Sequence, residues 1–172
     1  MMNIQGIPGS EEEQQIWHLL REVPDPEVPV LSVIDLGIIR MLRVIHPGHS
    51  VEIAVTPTYS GCPAMDMISI NIRMALLQHG YTDVRIKTVL SPAWTTDWMS
   101  ESGKQKLKVY GIAPPGKTNN NGSILFGEPD TIQCPQCRSY HTIMISEFGS
   151  TACKSLYKCS DCGEPFDYFK CH

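Results

Sequence analysis

Apolar residues recur at helical spacing near the start of the chain, at Ile16, Leu19, Leu20 and Val23 with Trp17 beside them. This pattern predicts an amphipathic packing helix. Ser10 stands before it as N-cap with Glu13 three residues on, a capping box, and Pro24 stops the helix. Pro24, Pro26 and Pro29 forbid regular structure before Val30, while Ser32 to Leu36 has room for one helical turn that Gly37 ends. Ile38 to Ile45 reads as a strand. His46-Pro47-Gly48-His49 turns it into a second, where Val51 to Val55 alternates apolar and polar. Pro63 to His79 forms a helix closed by Gly80 and apolar nearly all round, as expected of a helix buried on more than one face. Asp83 to Leu90 alternates again as a third strand, and Ser100 caps a short helix through Leu107 and Tyr110 that Gly111 ends. Between Ala113 and Ile124 no apolar residue occurs, only Pro, Gly, Asn, Ser, Thr and Lys, which is linker composition.

The chemistry begins at the junction of the second strand and the long helix, Thr56-Pro-Thr-Tyr-Ser-Gly-Cys62-Pro63. Ser60-Gly61 allows a sharp turn, and Pro63 suits the first helical position, where its missing N–H costs nothing. Cys62 then lies beside unpaired backbone N–H groups, which favour thiolate over thiol and make it a candidate metal ligand or nucleophile. The alternative is a small buried apolar residue. Asp25, Glu27 and Asp35 sit in irregular backbone. They are either turn caps, the usual role of loop carboxylates, or the lining of a pocket near Cys62. Ser91 to Met99 is a compact turn with Trp94 and Trp98, which serve as an interaction surface if exposed and close the core edge if tucked in.

Composition narrows the classes. The 172 residues are 42% hydrophobic and 19% charged, with net charge -4, which suits a folded chain and argues against a nucleic-acid or anionic-membrane surface. No apolar stretch approaches a membrane span and no signal peptide opens the chain, so a cytoplasmic protein is expected. Disulfides are rare in that compartment, yet there are seven cysteines, six of them between 134 and 171. Cys134-Pro-Gln-Cys137 and Cys159-Ser-Asp-Cys162 are two knuckles that together offer tetrahedral zinc its sulfurs. The segment between them has room for a hairpin, Thr142 to Ile145 up and Leu156 to Lys158 back. Such a site is closed and therefore structural, not catalytic. Cys153 and Cys171, near His141 and His172, are either apolar fillers or a second, labile site that includes Cys62 if the domains face one another.

The expected fold is α+β: a small two-layer domain of about three strands and two to three helices, then a β-hairpin zinc ribbon. The expected boundaries are 1–112 for the α/β domain, 113–130 for the linker and 131–172 for the four-cysteine zinc ribbon.

Asp25-Pro-Glu-Val-Pro-Val with Asp35-Leu-Gly, the Thr56 to Pro63 turn and Pro92-Ala-Trp-Thr-Thr-Asp-Trp-Met-Ser100 resemble the α/β domain of SufT-like iron–sulfur assembly factors. Ser146-Glu-Phe-Gly-Ser-Thr-Ala-Cys153-Lys and Cys162-Gly-Glu-Pro-Phe-Asp-Tyr-Phe-Lys-Cys171 extend the likeness over essentially the whole chain to the PaaD family. These are accessory D subunits of the phenylacetyl-CoA 1,2-epoxidase system. The resemblance implies a role in aerobic phenylacetate degradation, with the epoxidase components as partners, above all the reductase that carries flavin and an iron–sulfur cluster. It implies a maturation factor that binds structural zinc and holds an iron–sulfur cluster or iron transiently. Cys62 carries over as the reactive position, Asp25, Glu27 and Asp35 as pocket residues, and Cys134, Cys137, Cys159 and Cys162 as ribbon ligands. Cys153 or Cys171 would be a further ligand. The chain has no Glu-x-x-His pair, Gly-rich dinucleotide loop or plant-type cysteine spacing, so the oxidation itself is not expected of it. The alternative is a non-catalytic scaffold docking the epoxidase components. Neither nucleic acid nor membrane is an expected partner, and the two-sided helix at 63–79 suggests a homodimer.

Overall fold

A computed structural model describes residues 10–116 and 132–170 of the chain. It forms two compact units, residues 1–94 and 95–172.

In the first unit, α1 (Glu11–Leu20) is entered through the expected capping box. The Glu13 N–H donates to Ser10 Oγ at 3.2 Å, and the Ser10 N–H donates to the Glu13 carboxylate at 3.1 Å. β1 (Ile39–His46) and β2 (Ser50–Val55) pair antiparallel, and Gly48 in the turn between them takes a positive φ of 70°. α2 (Ala64–Gln78) then carries the chain to β3 (Asp83–Thr88), which pairs parallel with β2 from Ser50–Asp83 to Val55–Thr88. Val51, Ile53 and Val55 of β2, Ile68, Ile72 and Leu76 of α2, and Ile16 and Leu20 of α1 make the core, each at most 2% exposed. Burial of each such side chain contributes roughly 1.5–3 kcal/mol.

α2 departs from expectation. Met67, Ile70, Met74 and Leu77 are 47–53% exposed, so the helix is buried on one face only. It has one layer to lie on, with α1 and β3 beside it, and its apolar outer face stays open.

Residues 23–37 form a closed loop. It is pinned at its base by the Val33 N–H on Val23 O (3.0 Å), the Asp25 N–H on Leu31 O (2.8 Å) and a bridge between Pro24 and Ser32. The turn expected at 32–36 is present, with the Leu36 N–H on Ser32 O at 3.1 Å and Gly37 at φ 67°. Trp94 is tucked in at 3% exposure and donates its indole N–H to Leu36 O at 2.8 Å. It closes core and is not a docking surface.

In the second unit a single 3-10 turn, Thr96–Trp98, precedes α3 (Glu101–Tyr110). Ser100 caps α3 by accepting from the Gly103 N–H at 2.8 Å, and Gly111 ends it at φ 92°. The ribbon is β4 (Thr142–Ser146), β5 (Lys154–Cys159) and β6 (Pro165–Phe169), antiparallel in that order. The hairpin expected from the sequence is therefore extended by a third strand. Tyr157 of β5 secures it, stacked on Phe166 at 5.9 Å and edge-on to Tyr168 at 5.8 Å. Ala113 bridges Tyr168 on the far side of β6. The Asn-rich stretch, Cys171 and His172 lie outside the described residues. No helix among the described residues is long and apolar enough to cross a membrane.

Candidate functional site

Cys62 stands where β2 hands over to α2. The Cys62 N–H donates to Tyr59 O at 3.3 Å, closing a turn in which Gly61 adopts φ 81°. Only glycine does this without strain. Pro63 is the N-cap of α2, one position before the expected place, and the Met65 N–H reaches back to Cys62 O at 3.3 Å. The side chain is half-buried.

The expected thiolate is not favoured. Burial pushes the Cys62 thiol above its ordinary value, and the negative charges of Glu27 and Asp25 add to this. The Ala64 N–H and the Tyr59 hydroxyl act in the opposite direction but do not prevail. Loss of solvation and like charge outweigh the helix terminus, so Cys62 rests as a thiol.

Those charges identify the neighbours that spacing left open: Asp25 and Glu27 face the same region as Cys62. Asp25 is 7% exposed and caps its loop, accepting from the Glu27 N–H at 2.9 Å and the Val28 N–H at 2.7 Å. Burial raises its carboxyl despite those two donors. Asp35, 6% exposed, serves its own turn. Its carboxylate accepts from the Ser32 N–H (3.1 Å) and hydroxyl (2.9 Å), while Ser32 Oγ accepts from the Asp35 N–H at 3.1 Å. Thr56, at the end of β2, is 1% exposed and its hydroxyl lacks a hydrogen-bond partner, a feature that spacing alone does not reveal.

The ribbon cysteines converge. The sulfurs of Cys134, Cys137, Cys159 and Cys162 all lie within 4.8 Å of one another. Cys134 and Cys162 are 3.8 Å apart, and Cys137 and Cys159 are 3.5 Å apart. Tetrahedral zinc with Zn–S near 2.3 Å requires sulfurs about 3.8 Å apart, so the donor set fits a closed four-cysteine zinc site. Backbone N–H groups of Cys162 and Asp161 hold the Cys159 thiol down to about 7. Asp161 ties the knuckles together. Its carboxylate accepts from the Ser139 hydroxyl at 2.5 Å and meets His141 Nδ1 at 3.1 Å; Ser139 and then His141 hold it below the usual carboxylate range. Cys153 is 4% exposed, its sulfur 3.0 Å from the Thr151 hydroxyl.

An α/β unit with a cysteine at its strand-to-helix turn and a four-cysteine ribbon defines a class: iron–sulfur assembly domains fused to a zinc ribbon. Residues 13–87 match the family described as iron–sulfur cluster assembly protein, and residues 118–170 match the PaaD zinc beta ribbon domain. The chain belongs to the PaaD family. It is 49% identical over 157 residues, 91% of this chain and 92% of the other, to a protein of Escherichia coli (strain K12) named as the D subunit of 1,2-phenylacetyl-CoA epoxidase. An Fe-S protein maturation auxiliary factor of Porphyromonas gingivalis is 38% identical over 98 residues, 56% of this chain and 91% of that one. In fold, the chain is similar to a domain of unknown function, DUF59, from Bacillus anthracis, with TM-score 0.52 and 23% identity over 56% of this chain and 92% of that one.

Proposed function

We propose that this protein is an accessory factor of a phenylacetyl-CoA epoxidase system that assists iron–sulfur cluster or iron assembly in a partner component, most specifically the iron–sulfur flavin reductase. The observation that carries this reading is the Cys62 turn. A half-buried thiol at a helix start faces two carboxylates, in a unit matched to iron–sulfur assembly proteins. Iron or a cluster is the cargo. Cys62 binds it by exchanging its S–H proton for an iron–sulfur bond, and Asp25 and Glu27 favour the incoming cation by charge. One thiol and two carboxylates make an incomplete ligand set, which suits release to an acceptor richer in cysteine. Zinc in the ribbon supplies folding free energy and takes no part in the transfer. We assign assembly to residues 1–112, connection to 113–130 and the ribbon to 131–172.

The test is the cluster content of the reductase purified from cells that carry Cys62→Ser in place of the wild-type chain. Reductase lacking its cluster supports the assignment; a fully loaded reductase removes it.

A second reading is a docking component that passes no metal. It is favoured by the exposed apolar side chains Ile143, Met144 and Ile145 on the ribbon. It predicts that Cys62→Ser leaves the reductase loaded, whereas charged substitutions on β4 disrupt the assembled system.

A further inference from the structure

The sheet order β4-β5-β6 leaves two edges. Ala113 bridges Tyr168 along β6, whereas no strand among the described residues lies along β4. Ile143, Met144 and Ile145 are 58%, 57% and 52% exposed, and Tyr140 and Phe148 flank them at 58% and 55%. Natural sheets blunt an open edge with charge, proline or irregular pairing. From Ser139 to Ser146 there is no Lys, Arg, Asp, Glu or Pro. Irregularity is limited to a shift in the pairing with β5 between Met144 and Ser146. An edge this apolar is made to be covered.

We propose that β4 pairs antiparallel with β4 of a second copy, about a two-fold axis at Met144, to form one six-stranded sheet. The residue order selects this occupant. Ile143-Met144-Ile145 reads alike in both directions, flanked by the hydroxyl residues Thr142 and Ser146. A two-fold at Met144 therefore sets Ile143 of one copy opposite Ile145 of the other and Thr142 opposite Ser146, an isologous match. The segment carries no acidic or basic side chain except His141, so the copies do not repel. Five half-exposed large apolar side chains per copy offer at most on the order of 1,000 Å² for the pair, which reaches the lower bound of a specific interface when they are fully covered. The outer face of α2 offers a stripe of comparable size, but no strand edge.

Sedimentation velocity of the zinc-loaded full chain, across a micromolar concentration series, tests this. The wild type and Met74→Lys, which places charge on α2, should sediment as dimers. Met144→Lys should halve the mass while keeping its zinc. A monomeric wild type, a dimer that Met144→Lys leaves intact, or one that only Met74→Lys dissociates overturns the proposal. If Met144→Lys fails to hold zinc, amide exchange of the wild type decides. Protection of the Met144 N–H must rise with concentration, and protection that is constant with concentration overturns the proposal.

Discussion

Cys62 is a thiol kept protonated by its own neighbourhood. Burial is the main cause and the charges of Glu27 and Asp25 add to it, so its alkylation at neutral pH should be slower than that of an unfolded cysteine peptide. The rate should climb only as pH rises past the ordinary thiol value near 9; mass spectrometry of the Cys62 peptide over a pH series checks this. A fast, pH-independent rate at neutrality would mean that the helix terminus dominates after all. Asp25 makes the matching prediction for stability. Its folded pKa is raised, so the unfolded state ionises first, and the stability it supplies is lost as pH rises through the carboxylate range. Asp25→Asn keeps an acceptor for Glu27 and Val28 without that penalty. Urea unfolding should show it at least as stable as wild type at neutral pH, with the difference growing from acid to neutral. Asp25→Ala orphans both N–H groups and should lose about 1–3 kcal/mol.

At the scale of elements, two short segments do the positioning: the closed loop 23–37 and the pair of knuckles. Asp161 spans the knuckles through Ser139 and His141. These groups are largely exposed, so the pair adds little to global stability. Asp161→Ala should instead speed zinc loss several-fold, followed by a colorimetric chelator, with an unchanged fold by circular dichroism. What could be read beforehand was local. The Ser10–Glu13 box, the Gly48 turn, the Ser32–Asp35 turn and both Cys-x-x-Cys knuckles are spacings of a few residues, and all of them have the expected form. What escaped depends on distant neighbours. β6 needs Tyr157, on the neighbouring strand, to give Phe166 and Tyr168 something to pack on. The bareness of one α2 face depends on how many layers cover it. The direction of the Cys62 shift depends first on its burial and then on loop carboxylates far earlier in the chain, neither of which spacing can place. Asp25 and Asp35 each cap a turn, and the charge of Asp25 also acts on the cysteine.

For the molecule as a whole, the two units depend on different forces. The first has a layered core of helix and sheet. The ribbon core is Ala113, Ile132, Cys134, Cys159 and Phe166, with Tyr157 and Tyr168 against it. That is too little apolar surface to offset chain entropy alone, and zinc held by the four cysteines would supply on the order of 10 kcal/mol. Chelation should therefore abolish amide protection along β4–β6 while β1–β3 stay protected in hydrogen exchange. Uniform loss across both sheets would contradict separate sources of stability.

The central claim, that the Cys62 turn holds iron or a cluster while the ribbon holds zinc, meets its most direct test in metal content. After anaerobic reconstitution with iron and sulfide, the wild type should carry zinc plus additional iron with visible iron–sulfur absorption, and Cys62→Ser should carry zinc alone. Equal iron in both proteins, or zinc alone in both, would contradict it.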